Sequence, residues 1–303
     1  MQPFQVIPQY HPRVWGGQRL QAAPANAIPI GEAWVIHEHN LVQGGELAGQ
    51  TLEQVALQFG TNLLGTNYSG KRFPLLIKLL DCADWLSIQV HPNDTQALQL
   101  EGAGQLGKTE AWHLLEVETG AELICGVKTG VSPTQLEAAI RGGTVRDVAQ
   151  YQKVLRGDTI LMPAGTMHAL GPGMLLYEVQ QTSDITYRVY DWDRPASAGR
   201  ALHIEQSVAV TTTETASITP QLETGILTQC PYFTLEKING DTTTTPDGSS
   251  FHAITIITGQ AILESAGQIW ELNRFDSVII PAISATYSLT GNFEGLRSSL
   301  PRL

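Results

Sequence analysis

The sequence predicts a mainly β protein, built as two β-barrel modules with a small helical patch attached to the first. Three observations lead there. Apolar runs are short and end at Gly, Pro, Asn, Asp or Ser, as around residues 73–80, 111–117, 174–181 and 276–281. Several segments alternate apolar and polar side chains with the period of two that marks a strand. Helical periodicity is confined to a few brief stretches. A first module is expected over residues 1–212 and a second over 213–303, with residues 211–224, rich in Thr and Ser, read as the linker.

In chain order, residues 1–50 read as short strands and turns, with Trp15 and Trp34 as core residues and Gly16-Gly17 as a turn. Thr51 suits a helix N-cap. Leu52, Val55, Ala56 and Phe59 then form an apolar stripe that Gly60 ends, and a shorter helical segment follows at Leu63-Leu64. Residues 73–80 form an apolar strand with one cation, Lys78. Asn93 or Asp94 caps a short helix, and a loop with Gly102, Gly104 and Gly107 leads to the strand at 111–117. Ser132-Pro133 is a strong helix start, with a further helical turn near Val145. Residues 174–181 and 183–190 read as strands, the second placing Asp184, Thr186, Arg188 and Tyr190 on one face. Short strands with regular turns resume at Tyr232.

Composition excludes several classes. The 303 residues carry a formal net charge of −11 with no basic stripe, which argues against nucleic-acid binding. A few buried cations can still attract an anionic small molecule. No apolar run is long enough to span a bilayer, and Met1-Gln2-Pro3-Phe4 lacks a signal-peptide layout. Cys82, Cys125 and Cys230 show no CxxC spacing, so a cytoplasmic protein with reduced thiols is expected. The sequence leaves the oligomeric state open.

The chemistry concentrates around Ser87-Ile88-Gln89-Val90-His91-Pro92-Asn93. Read as a strand, this stretch points Ser87, Gln89 and His91 to one face and Leu86, Ile88 and Val90 to the other. A polar row inside a barrel is costly unless something satisfies it, and a metal ion or polar ligand would. Lys108-Thr109-Glu110 and Gly165-Thr166-Met167-His168 add a carboxylate and a second imidazole. Gln89, His91, Glu110 and His168 together form a mixed O/N set suited to zinc or another divalent ion. Gly157, Pro163, Gly165 and His168 match the G-x5-P-x-G-x2-H spacing of the second cupin motif, and Gln89-Val90-His91 with Glu110 resembles the first more loosely. His37, His39, His113 and His203 lack such a context and read as structural or surface residues. Residues 276–285 resemble the second cupin turn again, with Ser284 where a histidine would stand, so the second module reads as a metal-free jelly roll.

Lys78, residues 86–93, Gly107-Lys108-Thr109-Glu110, residues 157–168 and residues 183–194 resemble the type I mannose-6-phosphate isomerases of the cupin superfamily, in their short bacterial form. The resemblance spans most of residues 1–205; the C-terminal part fits only in being β-rich and of suitable length. It implies a metal-dependent aldose–ketose isomerase that interconverts mannose 6-phosphate and fructose 6-phosphate. It also implies one Zn2+ held by Gln89, His91, Glu110 and His168, a phosphate end near Lys78 and Ser87, and a catalytic centre containing Arg188, Lys108 and Asp184.

The residues suit that chemistry. Moving a proton between C1 and C2 through an enediol needs an acid–base group and stabilisation of oxyanion charge. Arg188 is a permanent cation for the enediolate or the phosphate. Lys108, Asp184 partnered by Arg188, and a water on the metal all qualify as the proton carrier. An isomerase of another sugar, phosphorylated or free, and a non-catalytic sugar- or metal-binding cupin are the rival readings.

Overall fold

The structure, a computed structural model, describes residues 1–24, 26–195 and 200–301. The chain is mainly β, as its pattern predicts, with sheets that are open at their edges rather than closed into barrels. It divides into two compact units that do not follow chain order. One comprises residues 1–9, 33–78 and 222–303, and the other residues 10–32 and 79–221.

The units therefore differ from the division expected at residue 212, for a reason that lies in strand pairing. The N-terminal strand Phe4–Val6 pairs antiparallel with Ser277–Ile280, placing Phe4 opposite Ile279, and on its other side with Val42–Gln43. The first helical patch goes the same way. Leu63 and Leu64 of the Thr61–Leu64 helix are buried, and the Leu63 and Asn62 carbonyls accept from the Ala282 and Ile283 N–H groups. The patch thus belongs with the C-terminal strands and not with the metal-ligand segments. In this unit the long strand His252–Ser265 pairs first with Ser277–Ile280 and Phe293–Ser299, then with Gln268–Asn273 and Tyr287–Thr290. Ile254, Leu263, Val278 and Leu289 fill its core.

The second unit contains two sheets. One runs in the order Ser217–Thr219, Thr159–Met162, Glu110–Val117, Met174–Gln181, Leu75–Cys82 and Gln9–Gly17; the last two strands continue along the chain into the other unit. The other runs Tyr187–Tyr190, Ile88–Val90, His168–Ala169, Glu122–Val127 and Ala149–Lys153. Trp112, Leu114, Ile160 and Leu176 anchor one apolar cluster, and Ile88, Val90, Ile124, Met167 and Val189 another. Burying each such side chain contributes roughly 1.5–3 kcal/mol, so these clusters fix which strand faces point inward.

The predicted helix starts hold. Thr51, Asn93 and Ser132 each accept from the third helical N–H, and Gln54, Gln96 and Gln135 return the bond to the cap, forming capping boxes. Part of the expected linker is instead a strand: Ser217–Thr219 pairs with Thr159–Met162, with Ile218 opposite Ile160. The strand expected over residues 183–190 begins only at Tyr187, and a helix at Ile204–Val210 follows it.

Candidate metal centre

Gln89, His91, Glu110 and His168 come from both sheets of the second unit. Gln89 is the middle residue of Ile88–Val90, His91 follows it, His168 opens His168–Ala169, and Glu110 opens Glu110–Val117. Gln89 is the direct cross-strand partner of His168 on one side and of Arg188 on the other. Residues opposite one another in a sheet share a face, so Gln89, His168 and Arg188 form a row, with His91 two residues from Gln89 on the same side.

Backbone contacts hold these segments together. Pro163-Ala164-Gly165-Thr166 is a turn closed by the Thr166 N–H on the Pro163 carbonyl at 3.1 Å, with Gly165 at φ +88°. That is the third position of a type II turn, which favours glycine. The Gly165 N–H donates to the His91 carbonyl at 2.8 Å, tying the His168 turn to the His91 strand. The Lys108 N–H donates to the Pro92 carbonyl at 2.9 Å, and Thr109 N–H donates to Gln181 Oε1 at 2.9 Å. The segment carrying Glu110 is thereby fixed beside His91.

The ligand atoms converge. His91 Nδ1 is 2.8 Å from the Ile185 carbonyl, and His168 Nδ1 is 2.8 Å from the Thr166 carbonyl. A carbonyl only accepts, so each Nδ1 carries the proton and each Nε2 presents a lone pair inward. Glu110 Oε1 lies 3.1 Å from His168 Nε2, and Glu110 Oε2 lies 3.5 Å from His91 Nε2. One ligand atom from each of the three residues falls within 4.8 Å of the others, all buried. Both Glu110 oxygens and His168 Nε2 are nevertheless without a properly formed hydrogen bond. Buried polar atoms are normally satisfied, and a divalent cation between them would satisfy all three. The residues present therefore fit a metal.

Lys108 reaches into the same point. Its ammonium donates to His91 Nε2 at 3.1 Å and lies 3.0 Å from Glu110 Oε2. Burial, with the Lys108 charge beside it, keeps the His91 imidazole well below its usual titration range and hence neutral. Burial alone would raise Glu110, but Lys108 and the two imidazoles outweigh it and hold the carboxyl well below the usual carboxylate range. A neutral imidazole and an ionised carboxylate are the forms that bind a metal.

The other predicted site residues fall in different places. Arg188 is half-buried; its Nη1 donates to the Ala201 carbonyl at 3.0 Å while its buried Nε has no hydrogen-bond partner. Burial and the neighbouring Arg200 push its guanidinium down from the ordinary value, with Asp191 opposing. Asp184 precedes the Tyr187–Tyr190 strand and is exposed, so it does not share a strand face with Arg188 as the alternation suggested. Ser87 is buried. Lys78 belongs to the other unit, within the fully buried strand Leu75–Cys82, with its ammonium 5.6 Å from the centre of the Trp34 ring. His113 bonds Thr159 Oγ1 through Nδ1 at 2.9 Å, the structural role expected of it.

The sequence reading passed over Glu178 and Trp112. Trp112 Nε1 donates to Glu178 Oε2 at 2.8 Å, and the Trp112 ring stacks edge-on against His168 at 5.3 Å. Glu178 opposes Trp112 and Gln180 opposes Glu110 in the sheet, so these side chains share the face of Glu110. A lone carboxylate inside the wholly buried run Met174–Gln181 is the signal that could have exposed it.

Fold and site together define a cupin-type β protein with a buried His/Glu/His cluster that could hold a metal. Residues 4–151 match the phosphomannose isomerase type I catalytic domain, and residues 223–300 match the mannose-6-phosphate isomerase cupin domain. A mannose-6-phosphate isomerase of Streptococcus mutans is 36% identical over 98% of both chains, and one of Bacillus subtilis is 34% identical over 99% of both. The crystal structure of the Bacillus subtilis mannose 6-phosphate isomerase superposes with a TM-score of 0.86 at 32% identity, covering 98% of this chain and 99% of that one. The chain belongs to the type I mannose-6-phosphate isomerase family. Among the described residues no helix is long and apolar enough to cross a membrane.

Proposed function

We propose that the chain interconverts mannose 6-phosphate and fructose 6-phosphate, using a zinc ion held by Gln89, His91, Glu110 and His168. The observation that carries this reading is the convergence of two Nδ1-pinned imidazoles on a buried carboxylate whose oxygens lack hydrogen bonds. The nitrogen-and-oxygen donor set suits zinc. When bound, the metal's contribution is to polarise the substrate carbonyl and offset oxyanion charge.

The chain's own groups do the rest. Lys108 Nζ, buried beside His91 and Glu110, is the group we assign to the proton: as the neutral amine it takes the C2 proton of the aldose, and the ammonium so formed returns a proton at C1. Arg188, in the same cross-strand row as Gln89, holds the negative charge of the enediolate, for which its unpartnered Nε–H is available. Burial around Glu110 and His168 excludes bulk water from the proton in transit. Ser87, buried in the same unit as the metal cluster, is assigned to the phosphate. Asp184, exposed and outside the strand, is given no proton step. We further place the protein in the cytoplasm, where the free thiols of Cys82, Cys125 and Cys230 would stay reduced.

The test is turnover of mannose 6-phosphate in D2O by the zinc-loaded protein, followed by NMR. Fructose 6-phosphate formed with deuterium entering at the transferred position supports proton transfer. Tight sugar-phosphate binding with no product and no exchange would support a binding protein instead.

A further inference from the structure

The C-terminal β unit carries an open cleft of about 440 Å³, lined in part by polar side chains that face inward from its strands. Strand register fixes that orientation. Glu236 opposes Arg297, and Arg297 opposes Ile254, a fully buried core residue. The three therefore share one sheet face, and the Glu236 and Arg297 side chains occupy positions where a sandwich normally places apolar groups. Arg297 Nε and Nη2 donate to Glu236 Oε2 at 3.0 and 2.6 Å. From there the guanidinium crosses to the opposing sheet, where Nη1 reaches Tyr287 Oη at 3.2 Å and Thr244 Oγ1 at 3.3 Å. His252 Nδ1 lies 2.9 Å from the same Tyr287 hydroxyl.

Such a network is a poor way to stabilise a core. A partly buried ion pair is commonly no better than well-packed apolar side chains of similar volume. Its placement around an open volume within the range of small-molecule sites fits a ligand-binding role.

We propose that this cleft binds an uncharged, hydroxyl-rich molecule of monosaccharide size. The lining sets the chemistry. Its formal charges are Glu236, Asp247 and Arg297, and the guanidinium is already engaged by Glu236. A phosphate or carboxylate ligand would meet two carboxylates with the one arginine committed, and a cation would meet that arginine. Thr234, Ser299 and Gln229 offer hydroxyl and amide groups that both donate and accept. A polyol has the same dual character and no net charge.

The test is saturation-transfer NMR on the metal-loaded full chain with D-mannose as the probe. It compares wild type with a Thr234→Val/Ser299→Ala variant, which removes two lining hydroxyls and leaves the Arg297 network in place. The wild type is expected to bind D-mannose, and the variant to bind it about tenfold more weakly, with mannose 6-phosphate turnover unchanged. If circular dichroism shows the double variant misfolded, Thr234→Val alone makes the same comparison with a smaller loss. No saturation transfer to the wild type overturns the proposal. So does equal binding in wild type and folded variant, which would locate the sugar elsewhere. Turnover is read separately, so failure here is distinguishable from failure of the isomerase assignment.

Discussion

Gln89 and His168 stand directly opposite one another in an antiparallel strand pair, the only residue of Ile88–Val90 that His168 pairs with. That register puts the amide and the imidazole on one face, about 5 Å apart at Cβ, the placement the proposed ligand role of Gln89 requires. Gln89→Leu keeps the side-chain size and removes the oxygen. It is expected to weaken zinc binding by about 10–100-fold, in line with the loss seen when metal-site support is removed. Equilibrium dialysis against a competing chelator measures this, and wild-type affinity would remove Gln89 from the ligand set.

Lys108 touches both His91 and Glu110, so its role divides cleanly from theirs. Lys108→Met keeps the stem and deletes the ammonium. Turnover should drop by about 10²–10⁴-fold, the usual contribution of a positioned acid–base group, while zinc content stays at the wild-type level. Retained proton exchange between C1 and C2 in this variant would assign the transfer to another group.

Gly107 is where a backbone approach, rather than a side chain, builds the site. A Cβ there would lie 2.5 Å from the Asn93 carbonyl carbon and the Asp94 nitrogen, while the Gly107 N–H donates to Asp94 Oδ1 at 2.8 Å. Both contacts are backbone, so neither can swing aside. Gly107→Ala should cost about 1–3 kcal/mol of stability, as overpacking does, and should lower turnover by displacing Lys108 and Glu110. Urea unfolding and steady-state kinetics on one preparation would check both effects.

His37 provides a pH dependence outside the metal centre. Burial, reinforced by His39, lowers its titration from 6.5 to about 4. Between those values the unfolded chain binds the extra proton, so stability rises with pH across that window. His37 contributes its full share above about pH 6.5 and loses it as pH falls towards 4, a difference of at most about 3 kcal/mol. His37→Phe should flatten the urea midpoint over that range. An unchanged slope would place the acid sensitivity in other groups.

Local signals were legible in the sequence and long-range pairings were not. Thr51, Asn93 and Ser132 cap their helices because a capping box needs only four consecutive residues. The His91, Glu110 and His168 cluster was legible because His168 sits in a turn of fixed spacing and the other two lie in short strand segments of distinctive sequence. Phe4 opposite Ile279 and Ile160 opposite Ile218 depend on partners far along the chain, and a Thr/Ser-rich stretch gives no hint that Ser217–Thr219 will be claimed by a sheet edge. Asp184 was misplaced because strict alternation was extended three residues beyond the point where the strand starts at Tyr187. Glu178 was hidden because an apolar run draws attention to its packing and away from its one charge.

The central claim is that His91, Glu110 and His168 hold the metal on which turnover depends. The most direct measurement is mannose 6-phosphate turnover together with zinc content on chelator-stripped and zinc-reloaded protein, for wild type and His168→Ala. The account predicts that wild-type turnover disappears on stripping and returns with one zinc per chain, while folded His168→Ala recovers neither. Full turnover in stripped protein, or in a His168→Ala variant that holds no zinc, would contradict it.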